Sequence, residues 1–194
     1  MKTALVSGLL LSALFSVSSH AALNAGDKAP DFNAQASLAG KAFNYSFKDA
    51  LKKGPVVVYF YPSAFTGGCN LHAHTFAEKS DRFAALGATV IGVSLDSIGR
   101  LNAFSADPEY CAGKVAVASD PDGKIARSFD LKIADTPSGR KDTRGADIDH
   151  GRVDRVTYVV GSDGKIAATI GGVAPVANVD SALEAVSRLA AARR

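Results

Sequence analysis

The chain has 194 residues, of which 47% are hydrophobic, and its 22 basic and 19 acidic side chains leave a formal net charge of +3. That length suits one ordinary domain with a substantial core. The small charge, with basic residues standing singly or in pairs, argues against nucleic acid or an anionic membrane surface as a partner.

Residues 1–21 have the pattern of a cleavable signal peptide. Lys2 supplies the positive start, an apolar run follows it, and Ser19 and Ala21 are the small residues that signal peptidase requires. The run is shorter than the roughly 20 apolar residues needed to span a bilayer, although a retained membrane anchor is the alternative. We expect a mature domain of residues 22–194 that is periplasmic or secreted and has no membrane partner after cleavage.

In the mature chain, strand-like apolar runs alternate with segments of helical periodicity. The predicted strands are 56–61, 88–95, 115–118, 156–160 and 165–170. The predicted helices are 69–86, 97–105, 122–129 and 179–192. Gly87 is a suitable residue to end the first helix, and the turn at 161–164 predicts a hairpin between the last two strands. This order favours a layered α/β fold with a mixed sheet.

Residues 132–152 form a polar segment that contains Pro137, Gly139, Gly145 and Gly151. A connection of this length without secondary structure is uncommon in a compact domain. It predicts a surface loop that is either mobile or lines a site.

Cys69 lies where the first predicted strand passes into the first predicted helix. In open α/β sheets, sites form outside the carboxyl ends of the strands. A thiol at this position faces backbone N–H groups and the positive end of the helix dipole, which stabilise thiolate over thiol. Catalysis would also need donors aimed at the reacting atoms. The Thr66 hydroxyl, the amides of Gly68 and Cys69, and an arginine distant in sequence are the candidates.

Residue patterns along most of the chain resemble the peroxiredoxin family. Pro62-x-x-x-Thr66-x-x-Cys69 is the peroxiredoxin signature, and the resemblance extends over residues 24–190. The further matching segments are Ala29-Pro30-Asp31-Phe32, Asp120-Pro121-Asp122-Gly123 and Arg155-Val156-Thr157-Tyr158-Val159-Val160.

The resemblance implies a thioredoxin-like fold, with a central mixed β-sheet flanked by helices, and reduction of hydrogen peroxide and organic hydroperoxides without a cofactor. It implies that Cys69 is the peroxidatic nucleophile and that Pro62 shields it from water. It further implies that Thr66 positions the peroxide and that Arg155 stabilises both thiolate and transition state. The alternatives are a core cysteine at position 69 and an arginine at 155 that reaches solvent.

Cys111 is the other cysteine of the chain. It falls between a predicted helix and a predicted strand, and we expect it near the active end of the sheet. Some peroxiredoxins, including the bacterioferritin-comigratory-protein-like group, have a resolving cysteine in this stretch. The resemblance therefore implies an atypical two-cysteine enzyme with an intramolecular disulfide, a thioredoxin-like or other dithiol reductant, and a monomeric or homodimeric state. A structural disulfide and an idle Cys111 remain alternatives.

The chain departs from the family pattern after Cys69. Many peroxiredoxins have Glu three residues later, where this chain has His72, and one subgroup has its resolving cysteine where this chain has His74. These residues spell C-x-x-H-x-H, which suggests a metal site or a copper-chaperone-like module using Cys69 and His72. On a regular helix, however, His72 lies about 60° and His74 about 140° from Cys69, so the three cannot converge on one ion.

The other alternative is a thiol–disulfide oxidoreductase. The chain lacks the C-x-x-C motif usual for that class, because Thr66 occupies the position of the first cysteine.

Overall fold

A computed structural model describes residues 22–192. The predicted signal peptide, residues 1–21, lies outside the described residues. The strands are β1 (Asn33–Leu38), β2 (Lys41–Ser46), β3 (Val56–Phe60), β4 (Thr89–Ser94), β5 (Ala116–Ser119), β6 (Ile133–Ala134), β7 (Arg152–Val153), β8 (Val156–Val160) and β9 (Ile166–Gly171). The helices are α1 (Phe47–Leu51), α2 (Gly67–Glu78), α3 (Ser80–Ala85), α4 (Ile98–Ala106), α5 (Lys124–Ser128) and α6 (Pro175–Ala191).

Seven strands form one mixed sheet in the order β2-β1-β5-β4-β3-β8-β9. Strands β3, β4 and β5 are parallel, whereas β8 runs antiparallel to β3 and β9 antiparallel to β8. Strands β1 and β2 pair as an antiparallel hairpin beside β5. Strands β6 and β7 form a separate two-stranded ladder.

Helices cover both faces of the sheet because β3 is apolar along its whole length. Its alternate residues Val57 and Tyr59 belong to the core shared with α2, α4 and α6. Val58 and Phe60 point to the other face and pack in the core that includes residues of α1 and α5. The predicted thioredoxin-like α/β architecture is therefore confirmed. No helix within residues 22–192 is long and apolar enough to cross a bilayer.

The structure differs from the sequence prediction at four places. The hairpin β1–β2 and the short helix α1 were not predicted, and neither was the β6–β7 ladder. The segment 69–86 forms two helices rather than one, because Lys79 leaves helical geometry at φ −96° and ψ 5°. Helix α6 begins at Pro175, four residues before the predicted start, since proline fits the first position of a helix.

The topology brings distant segments to the carboxyl edge of β3. Val156, the first residue of β8, pairs with Phe60, the last residue of β3. Arg155 therefore lies at the same level as the loop that leads from β3 into α2. The neighbouring parallel strand β4 ends at Ser94, which brings Asp96 to this edge as well.

Candidate active site

Cys69 lies in the first turn of α2, just beyond the carboxyl end of β3. Thr66 precedes the helix in an extended conformation, and the Cys69 side chain is almost fully buried, with 3% exposure. The Cys69 N–H donates to the Thr66 carbonyl at 2.8 Å. This amide, one of the donors expected from the sequence, is therefore already engaged by the tight first turn.

The Arg155 guanidinium reaches Cys69 directly. Its Nη2 lies 3.4 Å from the Cys69 Sγ, so Arg155 does not simply extend into solvent. Gly68 leaves room for this contact, since a β-carbon there would lie 3.3 Å from the same nitrogen. The guanidinium therefore places a positive charge and an N–H donor against the buried sulfur.

Thr66 and Pro62 lie in the loop that leads from β3 into α2. The Thr66 hydroxyl donates to the Ser63 carbonyl at 2.8 Å, which leaves the lone pairs of its oxygen available as acceptors. A small cleft beside this loop is lined by Pro62, Ser63, Thr66, Thr136, Arg140, Ile148 and Arg152. Pro62 is half-buried there, and its role in limiting access of water stays a prediction.

The second arm of Arg155 binds His72. Nη1 lies 2.9 Å from His72 Nδ1, and His72 Nε2 lies 3.1 Å from the side-chain oxygen of Asn178. Protein groups therefore occupy both ring nitrogens of His72, and one of these groups is a cation. This arrangement is unsuited to holding a metal ion between His72 and Cys69. His74 points elsewhere, because its Nδ1 donates to the Glu109 carbonyl at 2.9 Å.

Cys111 and Cys69 are both free thiols in the structure. Cys111 lies between α4 and β5, as the sequence predicted, and it belongs to the same hydrophobic core as Cys69. The thiol is fully buried, and this burial, with a smaller contribution from Asp107, raises its pKa well above the ordinary value. Tyr110, its neighbour, packs edge-on against Phe65 of the Cys69 loop.

A buried ionic cluster, which we call the Asp96 clamp, joins the 132–152 loop to the Cys69 loop. The clamp consists of Asp96, Arg100, Asp142 and His150. Asp96 accepts the Ala64 N–H at 2.8 Å and lies 2.8 Å from Arg100 Nε. Arg100 Nη2 in turn lies 2.8 Å from Asp142 of the long loop. The sequence left open whether the 132–152 loop is mobile or lines a site. These contacts indicate that it lines the site.

His150 closes the clamp in its protonated form. Its Nε2 lies 2.9 Å from Asp96 Oδ1, and its Nδ1 lies 2.7 Å from the Gly151 carbonyl. Both partners are acceptors, so both ring nitrogens carry hydrogen. Burial opposes the charge, yet the hydrogen bond and charge of Asp96 outweigh it and raise the His150 pKa above 6.5. Burial also opposes ionisation of Asp96, but His150 and the Ala64 N–H hold its pKa below 3.8.

The clamp holds Phe65 in a strained backbone conformation. Phe65 has φ +59°, a left-handed value that typically costs a non-glycine residue about 1–2 kcal/mol. Its carbonyl accepts hydrogen bonds from both the N–H and the hydroxyl of Thr143, each at 2.9 Å. The Arg144 guanidinium lies over its ring. These contacts fix the path of the loop one residue before Thr66.

Sequence reasoning identified Pro62, Thr66, Cys69 and Arg155, which the structure brings to one edge of the sheet. It missed the residues that hold them, namely Asp96, Arg100, Asp142, His150 and Asn178. For Asp96 a signal was present, since it follows a buried strand by two residues, where sites in α/β folds form. The other four carry no local pattern that distinguishes them from surface residues.

The fold and the site together define an α/β protein of thioredoxin-like fold with an arginine-paired cysteine at the carboxyl edge of its sheet. Residues 25–169 match the AhpC/TSA family. Because this match covers most of the chain, the protein belongs to that family.

The relatives include peroxiredoxins of several groups. Peroxiredoxin Bcp of Escherichia coli is 30% identical over 144 residues, which are 74% of this chain and 83% of that protein. Peroxidoxin BcpB of Mycobacterium tuberculosis gives a TM-score of 0.70 at 27% identity, covering 86% of this chain and 97% of that one. The Xanthomonas campestris bacterioferritin comigratory protein, described for its alkyl peroxide reduction activity, gives 0.63 at 25% identity, covering 80% of this chain and 91% of that one. The chain spans only 54% and 43% of the chloroplastic 2-Cys peroxiredoxins of Hordeum vulgare and Spinacia oleracea.

The Asp96 clamp predicts a pH-dependent contribution to stability. Because folding raises the His150 pKa, His150 contributes stability that is complete below pH 6.5. This stability is lost as the pH rises through the pKa of His150 in the folded protein. The lowered Asp96 pKa contributes stability that is complete above 3.8 and is lost as the pH falls through its folded-state value. The clamp is therefore strongest between these two pH values. We expect the free energy of unfolding, measured with urea, to fall less for His150→Gln than for the wild type as the pH is raised above 6.5.

Asp147→Asn is the matched control for this measurement, because Asp147 lies in the same loop but is exposed and pairs only with the exposed Lys141 among the described residues. It should keep the wild-type dependence on pH. Parallel curves for the wild type and His150→Gln would contradict a charged His150 in the clamp.

Proposed function

We propose that this protein is a thiol-dependent peroxidase that reduces hydrogen peroxide and organic hydroperoxides through Cys69. The observation that carries the proposal is the contact between Arg155 Nη2 and the Cys69 sulfur in the first turn of α2. A cationic donor held beside a buried sulfur stabilises the attacking thiolate and remains in place for the charge that develops on the leaving oxygen. The proposal needs no cofactor.

The reaction follows from the positions of these groups. The Cys69 thiolate attacks the nearer oxygen of the hydroperoxide, the S–O bond forms and the O–O bond breaks. The leaving alkoxide or hydroxide takes a proton, and Cys69 becomes a sulfenic acid. Thr66 Oγ1, whose own hydrogen is donated to Ser63, accepts the O–H of the hydroperoxide and orients it for attack. Arg155 balances the negative charge throughout.

The relatives support this proposal over its alternatives. Those reported above are described as peroxiredoxins or peroxidoxins, or by alkyl peroxide reduction activity. A thiol–disulfide oxidoreductase needs a second thiol close to the nucleophile, whereas Cys69 here has Thr66 at the position of that thiol. A metal module would need His72 Nδ1, which binds Arg155.

Replacing Cys69 tests the assignment of the nucleophile. Cys69→Ser should lose peroxidase activity almost completely, because serine cannot supply a thiolate at the arginine. Cys111→Ser is the matched control, since it removes the other thiol and should still react once with peroxide. Stopped-flow kinetics of the reduced proteins, followed by intact-mass spectrometry, would measure both. Single-turnover reactivity that survives in Cys69→Ser would refute the proposal.

We further propose that Cys111 resolves the Cys69 sulfenic acid by local opening of the chain. Condensation of the two expels water and forms an intramolecular disulfide, which a thioredoxin-like or other dithiol reductant then reduces. A disulfide needs Cα atoms roughly 4.4–6.8 Å apart, and Cys111 must also leave its fully buried position to react. Ala112 has a positive φ angle of 51°, which is strained for a residue with a side chain, and Gly113 follows it at 66°, where glycine is unstrained.

Oxidation should therefore change the protection of two segments. In hydrogen exchange, amides of residues 107–114 and of the first turn of α2 should lose protection in the oxidised protein, because disulfide formation disrupts both. The oxidised wild type should show a mass lower by two hydrogens. Cys111→Ser should instead accumulate sulfinic acid under repeated peroxide. Identical exchange in both redox forms, with no mass loss, would leave Cys111 without a resolving role.

We propose that the protein acts in the periplasm or outside the cell as a monomer or homodimer. The supporting observation for its location is the signal-like pattern of residues 1–21. Expression of the full chain, with fractionation and amino-terminal sequencing, should recover a mature protein that starts at Ala22. Recovery of the uncleaved chain in the cytoplasm would contradict this location, and sedimentation of the mature protein would measure its oligomeric state.

A further inference from the structure

We propose that protonated His150 acts through Asp96 to position the Thr66 hydroxyl for reaction with a hydroperoxide. Loss of the His150 proton weakens this positioning, so the reaction with peroxide slows on the alkaline side. This inference rests on the proposed function, because it adds a proton-dependent control to the same site. Among the described residues, the side chain of His150 hydrogen-bonds to Asp96, Ser63 and the Gly151 carbonyl. It therefore acts on the reacting atoms through other groups.

The Thr66 hydroxyl is oriented by the carbonyl of Ser63. Thr66 Oγ1 donates its hydrogen to that carbonyl at 2.8 Å. A hydroxyl has a single hydrogen, so the direction of this bond also decides where the lone pairs of the oxygen point. Any shift of Ser63 therefore turns the acceptor that orients the hydroperoxide in the proposed reaction.

Ser63 is held in turn by Asp96 and His150. The Ser63 hydroxyl donates to Asp96 Oδ1 at 3.2 Å and lies 3.4 Å from His150 Nε2. The other carboxylate oxygen of Asp96 accepts the Ala64 N–H at 2.8 Å. The Asp96 side chain is fully buried and that of His150 is 11% exposed, so salt and solvent screen their contact weakly. We call the contacts of Asp96 and His150 with Ser63 and Ala64 the His150 lock.

The His150 lock needs both ring hydrogens of His150. Nε2 faces the Asp96 carboxylate at 2.9 Å and Nδ1 faces the Gly151 carbonyl at 2.7 Å. An ionised carboxylate and a carbonyl can only accept. A neutral ring has one hydrogen, so one of its nitrogens would then set a lone pair against an oxygen. Either Asp96 loses a donor or the end of the 132–152 loop loses its anchor.

The charged groups that face His150 lie after β4, on α4 and in the 132–152 loop. Asp96 is in direct contact, and Asp149, the preceding residue, adds a further negative charge. Arg100 of α4 pairs with Asp96 and, through its other arm, with Asp142. The loop between β3 and α2 contributes a hydroxyl but no charge. Asp96 therefore keeps Arg100 as a cationic partner when His150 loses its proton, so the lock weakens rather than disappears.

This arrangement gives the reaction a defined dependence on pH. Although burial opposes the change, the hydrogen bond and charge of Asp96 raise the His150 pKa above 6.5. The lock is therefore complete at acid pH and weakens as the pH rises through the pKa of His150 in the folded protein. Ionisation of a cysteine thiol alone would give a rate constant that only rises with pH. We expect a rise followed by a fall of about tenfold, less than the roughly 10²-fold cost of a full misplacement by ~1 Å.

Two substitutions of His150 separate its two contacts. Gln has an amide nitrogen at the same number of bonds from the backbone as Nε2, so His150→Gln keeps a donor for Asp96 that does not titrate. Asn reaches only the position of Nδ1, so His150→Asn keeps the contact to Gly151 and loses Asp96. At neutral pH, His150→Asn should lower the peroxide rate constant about tenfold and His150→Gln by less. Neither variant should show the alkaline fall.

Two further variants test whether the fall belongs to His150 and acts through Thr66. His74→Gln is the matched control, because it removes a half-exposed histidine whose ring donates to the Glu109 carbonyl. It should keep the wild-type profile. Thr66→Val is nearly isosteric but lacks the acceptor, so its slower reaction should rise with pH without a later fall.

The rate constants come from stopped-flow mixing with peroxide across neutral and alkaline pH, in a Cys111→Ser background. The NMR signal of the Ala64 N–H, which donates to Asp96, reports the lock without peroxide. This signal should move with the titration of the His150 ring in the wild type and stay in place in His150→Gln. If the wild type reduced no peroxide, the proposed function would fail in the kinetic arm alone, and the Ala64 signal would still decide whether the lock exists.

Three results would overturn the proposal. These are a wild-type rate constant that only rises with pH, an alkaline fall that persists in His150→Gln or Thr66→Val, and an Ala64 signal that ignores the titration of the His150 ring. If both His150 variants unfold, the wild-type Ala64 signal and the Thr66→Val profile decide the question.

Discussion

The contact between the Arg155 guanidinium and the Cys69 sulfur is the interaction around which the rest of the site is arranged. A cation at half-buried depth is costly unless an anion or a set of acceptors meets it. Here the acceptors are one sulfur and one imidazole nitrogen, 3.4 Å and 2.9 Å away. The sulfur therefore gains a charge partner, and the arginine gains an anion when the thiol ionises. Each group makes the charged state of the other less costly.

Two buried polar systems support this pair from opposite sides. On one side, Arg155 is hydrogen-bonded to His72 and His72 to Asn178. The Asp96 clamp is ionic and holds the loop that precedes Cys69. The charges of the clamp are paired with each other.

The same arrangement limits how the site can be recycled. Cys69 and Cys111 lie in one hydrophobic core, and both are buried. Burial strengthens the interaction of a charged sulfur with the arginine, but Cys111 can react only once it leaves its buried position. The strained backbone at Ala112 and at Phe65 stores free energy in the two segments that must open. Packing that favours the first chemical step therefore opposes the second, and local opening reconciles them.

The sequence by itself determined the α/β class and singled out Cys69 as the candidate nucleophile. The uniform apolar run at 56–60 predicted a strand buried on both faces, because only a central strand can bury every side chain. The Cys69 position followed from a strand that passes directly into a helix. The N-terminal hairpin escaped prediction because β2 is largely exposed and lacks a clear apolar alternation.

Only the tertiary structure decided which distant residues serve the cysteine. Arg155 reaches it because Val156 pairs with Phe60, a register that depends on the packing of whole strands. His72 looked like one half of a metal pattern, and its role depended on Asn178, which lies 106 residues further along the chain. His150 and Asp96 meet across 54 residues. Local sequence records propensity and periodicity, whereas such contacts exist only once the chain has folded, so no local pattern could reveal them.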